Sequence, residues 1–184
     1  MSYSKGAIGV RWAASDENGD TLIYKVEIRG SKEQTWKLLR DKVRQNYLSF
    51  DSDAFADGEY RIRITASDSP SNTPENALTT QEESDPFLID NTPPEITKLT
   101  ARGNVIQWHV ADGLSIVRKA EYSLDGGDWT VVDPVTRLSD SQTLDYSLTL
   151  TTPAQGEHTI AVRATDEFDN VAVAKLVVSM DTRR

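Results

Sequence analysis

The sequence predicts an all-β chain built as two tandem β-sandwiches of about seven strands each. Three observations predict it. Apolar and polar residues alternate along short runs bounded by Gly, Pro, Asn and Asp, and no window has a convincing helical period. One series of motifs occurs twice in the same order: Trp12 and Trp108, Asp16 and Asp112, KVEI (25–28) and KAEY (119–122), Trp36 and Trp129, GEYRIRITASD (58–68) and GEHTIAVRATD (156–166). The offsets are 93 to 98 residues. Between the copies lies Ile89-Asp90-Asn91-Thr92-Pro93-Pro94, whose prolines favour an extended connection. The boundary there divides the 184 residues into domains 1–90 and 91–184.

In the first copy, Ile8, Val10 and Trp12 alternate with Gly9 and Arg11 as a half-buried strand. Asp16-Glu17-Asn18-Gly19-Asp20 is a turn, with Asn-Gly suited to positive φ and the acids suited to capping amides. From Leu22 to Ile28 a strand turns Tyr24, Val26 and Ile28 inward and Lys25, Glu27 and Arg29 outward, and Gly30 ends it. Trp36 to Leu39 form a short strand, and Tyr47 to Phe50 begin another. Lys37 to Arg44 read as a hairpin with a solvated basic edge rather than a docking patch. Asp57-Gly58 turns into the clearest strand, with Tyr60, Ile62, Ile64 and Ala66 facing in. The polar run Ser67 to Asp85, with the loop 69–85 at its heart, leaves two readings open: part of the last strand, or a functional excursion. Pro86 to Ile89 close the copy.

The second copy opens on a strand marked by Ile96, Leu99 and Ala101. Ile106, Trp108 and Val110 alternate on the next, and Ala120, Tyr122 and Leu124 on the third. Asp125-Gly126-Gly127-Asp128 is a hairpin turn rather than a phosphate loop, and Trp129 to Val132 follow it. Tyr146, Leu148 and Leu150 alternate, then His158, Ile160, Val162 and Ala164 after the turn Gly156-Glu157. Asn170 to Val178 make the final strand.

Trp12 and Trp108 on second strands, with Gly58-Glu59-Tyr60 opening a later alternating strand, resemble the fibronectin type III and bacterial immunoglobulin-like families. GEHTIAVRATDEFDN (156–170) resembles the bacterial immunoglobulin-like ending, where a Gly usually stands at the position of Asp169. YSLDGGDW (122–129) and DNTPP (90–94) resemble stretches of such modules in bacterial extracellular proteins, including those appended to β-propellers. The resemblance covers nearly the whole chain. It implies two immunoglobulin-like β-sandwiches, fibronectin type III-like over 1–90 and bacterial immunoglobulin-like over 91–184. It further implies a non-catalytic spacer or docking role at or near the C-terminus of a larger exported bacterial protein, extracellular or periplasmic, with upstream domains of that protein as partners. The alternative is a carbohydrate- or cell-surface-binding module. This fold hosts many roles, so the resemblance speaks to fold more than to function.

Two departures stand out. Tyr60 sits where a tyrosine corner is expected, and His158 takes that place in the second copy. Nothing before Ile8 supplies the strand that Ile96 to Ala101 supply to the second copy. The expectation is a first module cut or completed differently in a C-terminal fragment, with an exposed sheet edge, so that added upstream sequence raises the melting temperature.

Composition narrows the chemistry. Net charge is −9, divided −5 and −4 between the copies, so neither is basic and nucleic acid or anionic membranes are not expected partners. No run approaches the ~20 apolar residues of a membrane span. Met1 to Gly6 lack an apolar signal core. The chain has no cysteine, which removes disulfides and thiolate chemistry. No catalytic residue is assigned: His109 and His158 lie on strands without a nucleophile motif. No cofactor is expected. Calcium is the one metal idea, through Asp16, Asn18 and Asp20, with Asp68, Asp90 and Asn91 at the junction, against capped turns and a polar linker. Trp36 and Trp129, after turns, are the candidate stacking platforms for sugars, against packing over the sandwich edge.

Overall fold

The computed structural model describes residues 5–151 and 155–180. Of the opening run Met1 to Gly6, the first four residues lie outside it. The chain divides into two compact units, Met1–Asn91 and Thr92–Arg184. Both are all-β and antiparallel.

The second unit shows the sandwich most plainly. Its strands are β8 (Glu95–Arg102), β9 (Val105–Ala111), β10 (Val117–Leu124), β11 (Thr130–Val132), β12 (Thr143–Thr149), β13 (Gly156–Asp166) and β14 (Val171–Met180). They form a three-stranded sheet, β12-β9-β8, and a four-stranded sheet, β11-β10-β13-β14. Seven strands split three and four make an immunoglobulin-like sandwich. Alternate residues of each strand point between the sheets, so Ile106, Val110, Val117, Ile160, Val162 and Ala164 are fully buried. Trp108 stacks on Tyr146 with ring centres 5.2 Å apart at the heart of that core. The spacing of Ile96, Leu99 and Ala101, irregular for a strand, has a physical cause. Lys98 has a φ of 53° and the pairing with β9 slips between Thr97 and Thr100, so a bulge resets which side chains face inward.

The first unit is built from β1 (Ala7–Arg11), β2 (Ile23–Gly30), β3 (Lys37–Val43), β4 (Tyr47–Asp51), β5 (Gly58–Ser67), β6 (Thr79–Glu83) and β7 (Phe87–Ile89). A single 3-10 turn, Ser52–Ala54, follows β4. One sheet runs β3-β2-β5-β6, with β7 also on β5; the other, among the described residues, is the pair β1-β4. Val26, Ile28, Ile62 and Ile89 form the centre of a second core. Tyr60 donates its hydroxyl to Ala56 O at 2.8 Å, the tyrosine corner expected of it.

The polar run after Ser67 is partly strand. β6 pairs with Arg63–Ser67 of β5, and β7 pairs with Gly58–Tyr60 on the same strand. Pro86, without an N–H, stands between them and breaks the ladder. Ser84 bridges the break: its N–H donates to Ile62 O, and its Oγ accepts from Ile62 N.

Candidate functional site

Three places gather polar or exposed apolar groups, and each is made by strand register. The first is a charged ladder on the outer face of the larger sheet, present in both units. In the first unit, β2 and β5 place Glu27 opposite Arg63. Arg63 donates from Nε and Nη2 to Glu27 Oε2 at 3.1 and 2.9 Å, and Lys25 lies 3.2 Å from Oε1. The guanidinium carbons of Arg29 and Arg63 each lie 4.5 Å from the Trp36 ring centre. In the second unit Glu121 pairs with Arg163 at 2.5 Å and Lys119 at 2.7 Å, and Arg163 stands 4.2 Å from the Trp129 ring.

The expectation that Glu27 faces solvent is therefore corrected: it is only 8% exposed, and Glu121 only 5%. A lysine and an arginine pair with each carboxylate, and their long stems take it out of solvent. Burial pushes Glu27 upward, but hydrogen bonds from Arg63 and Lys25 outweigh it and hold the group below the usual carboxylate range. For Glu121 the Arg163 hydrogen bond is the largest influence, and it too is held low. The guanidiniums stand where a sugar ring would stack on Trp36 or Trp129. Trp129 keeps 37% of its surface and Trp36 is half-buried.

The ladders do not follow the sequence repeat. The residue that the repeat aligns with Arg163 is Thr65, not Arg63. The pairing of β10 with β13 has moved two residues relative to that of β2 with β5, with an irregularity between Val117 and Lys119. A two-residue shift keeps inward faces inward, and each unit finds its own glutamate–arginine pair in its own register.

The second place is the turn 16–20. One carboxylate oxygen each of Asp16, Asp20 and Asp68 lies within 4.8 Å of the others. Of the predicted acids, Asp16 and Asp20 come together, and Asp68 joins them. Asp16 Oδ1 accepts from the backbone N–H of Asn18 and Asp20 at 2.9 and 3.0 Å. Asn72 Nδ2 donates to Asp20 Oδ2, and Leu78 N donates to Asp68 Oδ1. Each acid thus already holds a loop in place. Asn91 anchors the connection in the same manner: its N–H donates to Asp57 Oδ1 at 2.8 Å, and its side-chain amide donates to Ser52 O and Phe55 O at 3.1 Å.

Both histidines are held by aspartates. His109 Nδ1 lies 2.8 Å from Asp145 Oδ1, and His158 Nδ1 lies 2.6 Å from Asp125 Oδ2. The aspartate and histidine of each pair come from different strands or turns, which spacing in the sequence does not reveal.

The third place is a cleft of about 590 Å³ in the first unit, along β1. Val10 and Trp12, Ile62, Ile64 and Ala66 of β5, and Glu82 of β6 are among the residues that line it. Trp12 is half-buried here, whereas its counterpart Trp108 is 2% exposed. No cysteine or histidine lies among the residues lining the cleft; its hydroxyl groups are those of Ser15, Thr80 and Ser84.

No protein-family model matches the chain, and no curated protein matches it. Among solved structures, fibronectin(III)-like modules of Clostridium thermocellum CbhA align at 17% identity over 96% of this chain and 86% of that one, with a TM-score of 0.44. The chicken interferon gamma receptor alpha chain aligns at 12% identity over 97% and 94%, with a TM-score of 0.41. The FN1–FN3 domains of chicken CNTN1 align at 12% over 97% of this chain and 64% of that one, with a TM-score of 0.42. The fold assignment rests on the strand order and pairing described above.

Proposed function

We propose that the chain is a pair of non-catalytic sandwich modules that serves as a spacer or docking unit in a larger exported bacterial protein. The observation that carries this reading is the use of the polar groups. The ladder glutamates and arginines staple strands, the turn acids hold loops, and Asn91 fastens the start of the connection to the first unit. Pro93 and Pro94 then fix two backbone φ angles in the connection. A short connection that is anchored and stiffened suits a part whose work is geometric.

The test is a distance distribution between two spin labels, one on an exposed strand position of each unit. A narrow distribution that broadens in the double variant Pro93→Gly, Pro94→Gly is expected. A wild-type distribution as broad as the variant's would sink the spacer reading. The acidic turn is read as structural, so melting temperatures in calcium and in a chelator are expected to agree. Retention on insoluble polysaccharide would instead favour the carbohydrate-binding alternative.

A further inference from the structure

We propose that the open edge of β1 accepts one more strand, supplied by an extended polypeptide segment that is apolar on alternate residues and basic where it passes β6. This goes beyond the spacer reading and is tested separately from it.

The two units give the argument an internal control. In the second unit, β9 is paired on both sides, with β12 and with β8. In the first unit, β1 occupies the position of β9 and pairs with β4 alone among the described residues. Ile96, Leu99 and Ala101 of β8 pack onto the second core. Among the described residues the first unit has no counterpart, and the same positions are under-covered. Val10 and Trp12 are half-buried where Ile106 and Trp108 are 0% and 2% exposed. Ile64 is half-buried where Val162 is 0% exposed. The uncovered side chains line the cleft beside β1. An unpaired edge next to uncovered apolar side chains is a template for strand addition: backbone hydrogen bonds supply affinity, and alternate side chains fill the cleft.

The control also fixes direction and chemistry. β8 runs antiparallel to β9 and lies alongside β14. The added strand therefore runs antiparallel to β1 and passes β6, the first unit's counterpart of β14. On its core side β14 presents Ala174 and Leu176, whereas β6 sets Glu82 opposite Ile64, on the face that lines the cleft. A lysine or arginine on the incoming strand meets the Glu82 carboxylate, which an uncharged strand would leave facing an apolar neighbour. β8 itself has this pattern, with Lys98 and Arg102 among its apolar positions, but its own sheet uses it.

The probe is therefore a synthetic peptide with the sequence of Pro94 to Arg102, added to the whole chain. Amide exchange is followed at Ala7 to Arg11. Saturable slowing of those amides by tenfold or more is expected, together with a rise in the first unit's melting temperature. Glu82 is exposed, so Glu82→Lys is expected to leave the free chain's melting temperature unchanged and to weaken the peptide at least fivefold. Three results would overturn the proposal. One is unchanged exchange up to the peptide's solubility limit. Another is equal binding to Glu82→Lys. The third is protection of β1 without peptide that grows with protein concentration, which would assign the edge to a second copy of the chain.

Discussion

Tyr60 shows how one side chain can be read from sequence and then weighed. Its hydroxyl donates to Ala56 O, closing the turn that feeds β5. Tyr60→Phe removes that bond with little change in packing, at a cost of about 1 kcal/mol measured by urea unfolding. Glu27 and Glu121 were legible only in part. Their alternation with Val26 and Ala120 places them outward, but the arginines that cover them come from another strand, and the register that joins them is a tertiary property. Both are held below the ordinary carboxylate pKa when folded. The stability they contribute is therefore complete above the unfolded value of about 4.3 and is lost as pH falls through the lower folded values. Glu121→Gln is expected to flatten the acid limb of a stability–pH curve. An unchanged limb would mean the pair contributes nothing. Tyr146 has the opposite sign at the other end: burial pushes its phenol up to about 12. Stability is complete below the unfolded value of about 10 and falls as pH rises toward the folded one.

At the scale of elements, turn chemistry was the most readable feature. Asp125 and Gly126 both have positive φ, 51° and 75°, and Gly127 N bonds Leu124 O at 2.9 Å, a type I′ turn. Gly126→Ala keeps the volume nearly unchanged but strains the left-handed backbone, so a loss of about 1–2 kcal/mol in unfolding free energy is expected. Asp169, standing where a Gly is usual in the resembling family, has a φ of 65°, and its carboxylate pairs with Arg118. A left-handed position asks for Gly, and Asp is one of the few other residues that tolerate it. β6 is the element that periodicity could not find. Thr79 to Glu83 are all exposed, so no apolar alternation marks them, and the strand exists because β5 has an edge to pair with. The bulge at Lys98 had a visible trace, the irregular spacing of Ile96, Leu99 and Ala101, but its cause is a backbone angle.

For the whole molecule, the doubled motif series announced two modules, and the scarcity of apolar residues before Ile8 announced that they are unequal. The asymmetry has a thermodynamic consequence. One core is closed by β8, and the other leaves Val10, Trp12 and Ile64 facing a cleft. Apolar surface left in water forgoes roughly 25 cal/mol per Å², so the first unit is expected to be the less stable of the two. What sequence could not show is how the cleft is walled, since β6 is silent in the pattern and reaches β1's neighbourhood only through the fold.

The measurement that tests this account most directly is residue-resolved amide exchange on the free chain, comparing β1 with β9. Protection follows pairing and cover, so β9, flanked by β8 and β12, should exchange among the slowest of all strands. β1, with β4 on one side and the open cleft on the other, should exchange among the fastest. Equal, deep protection of both strands would contradict the account, because it would mean that the first sheet is as closed as the second.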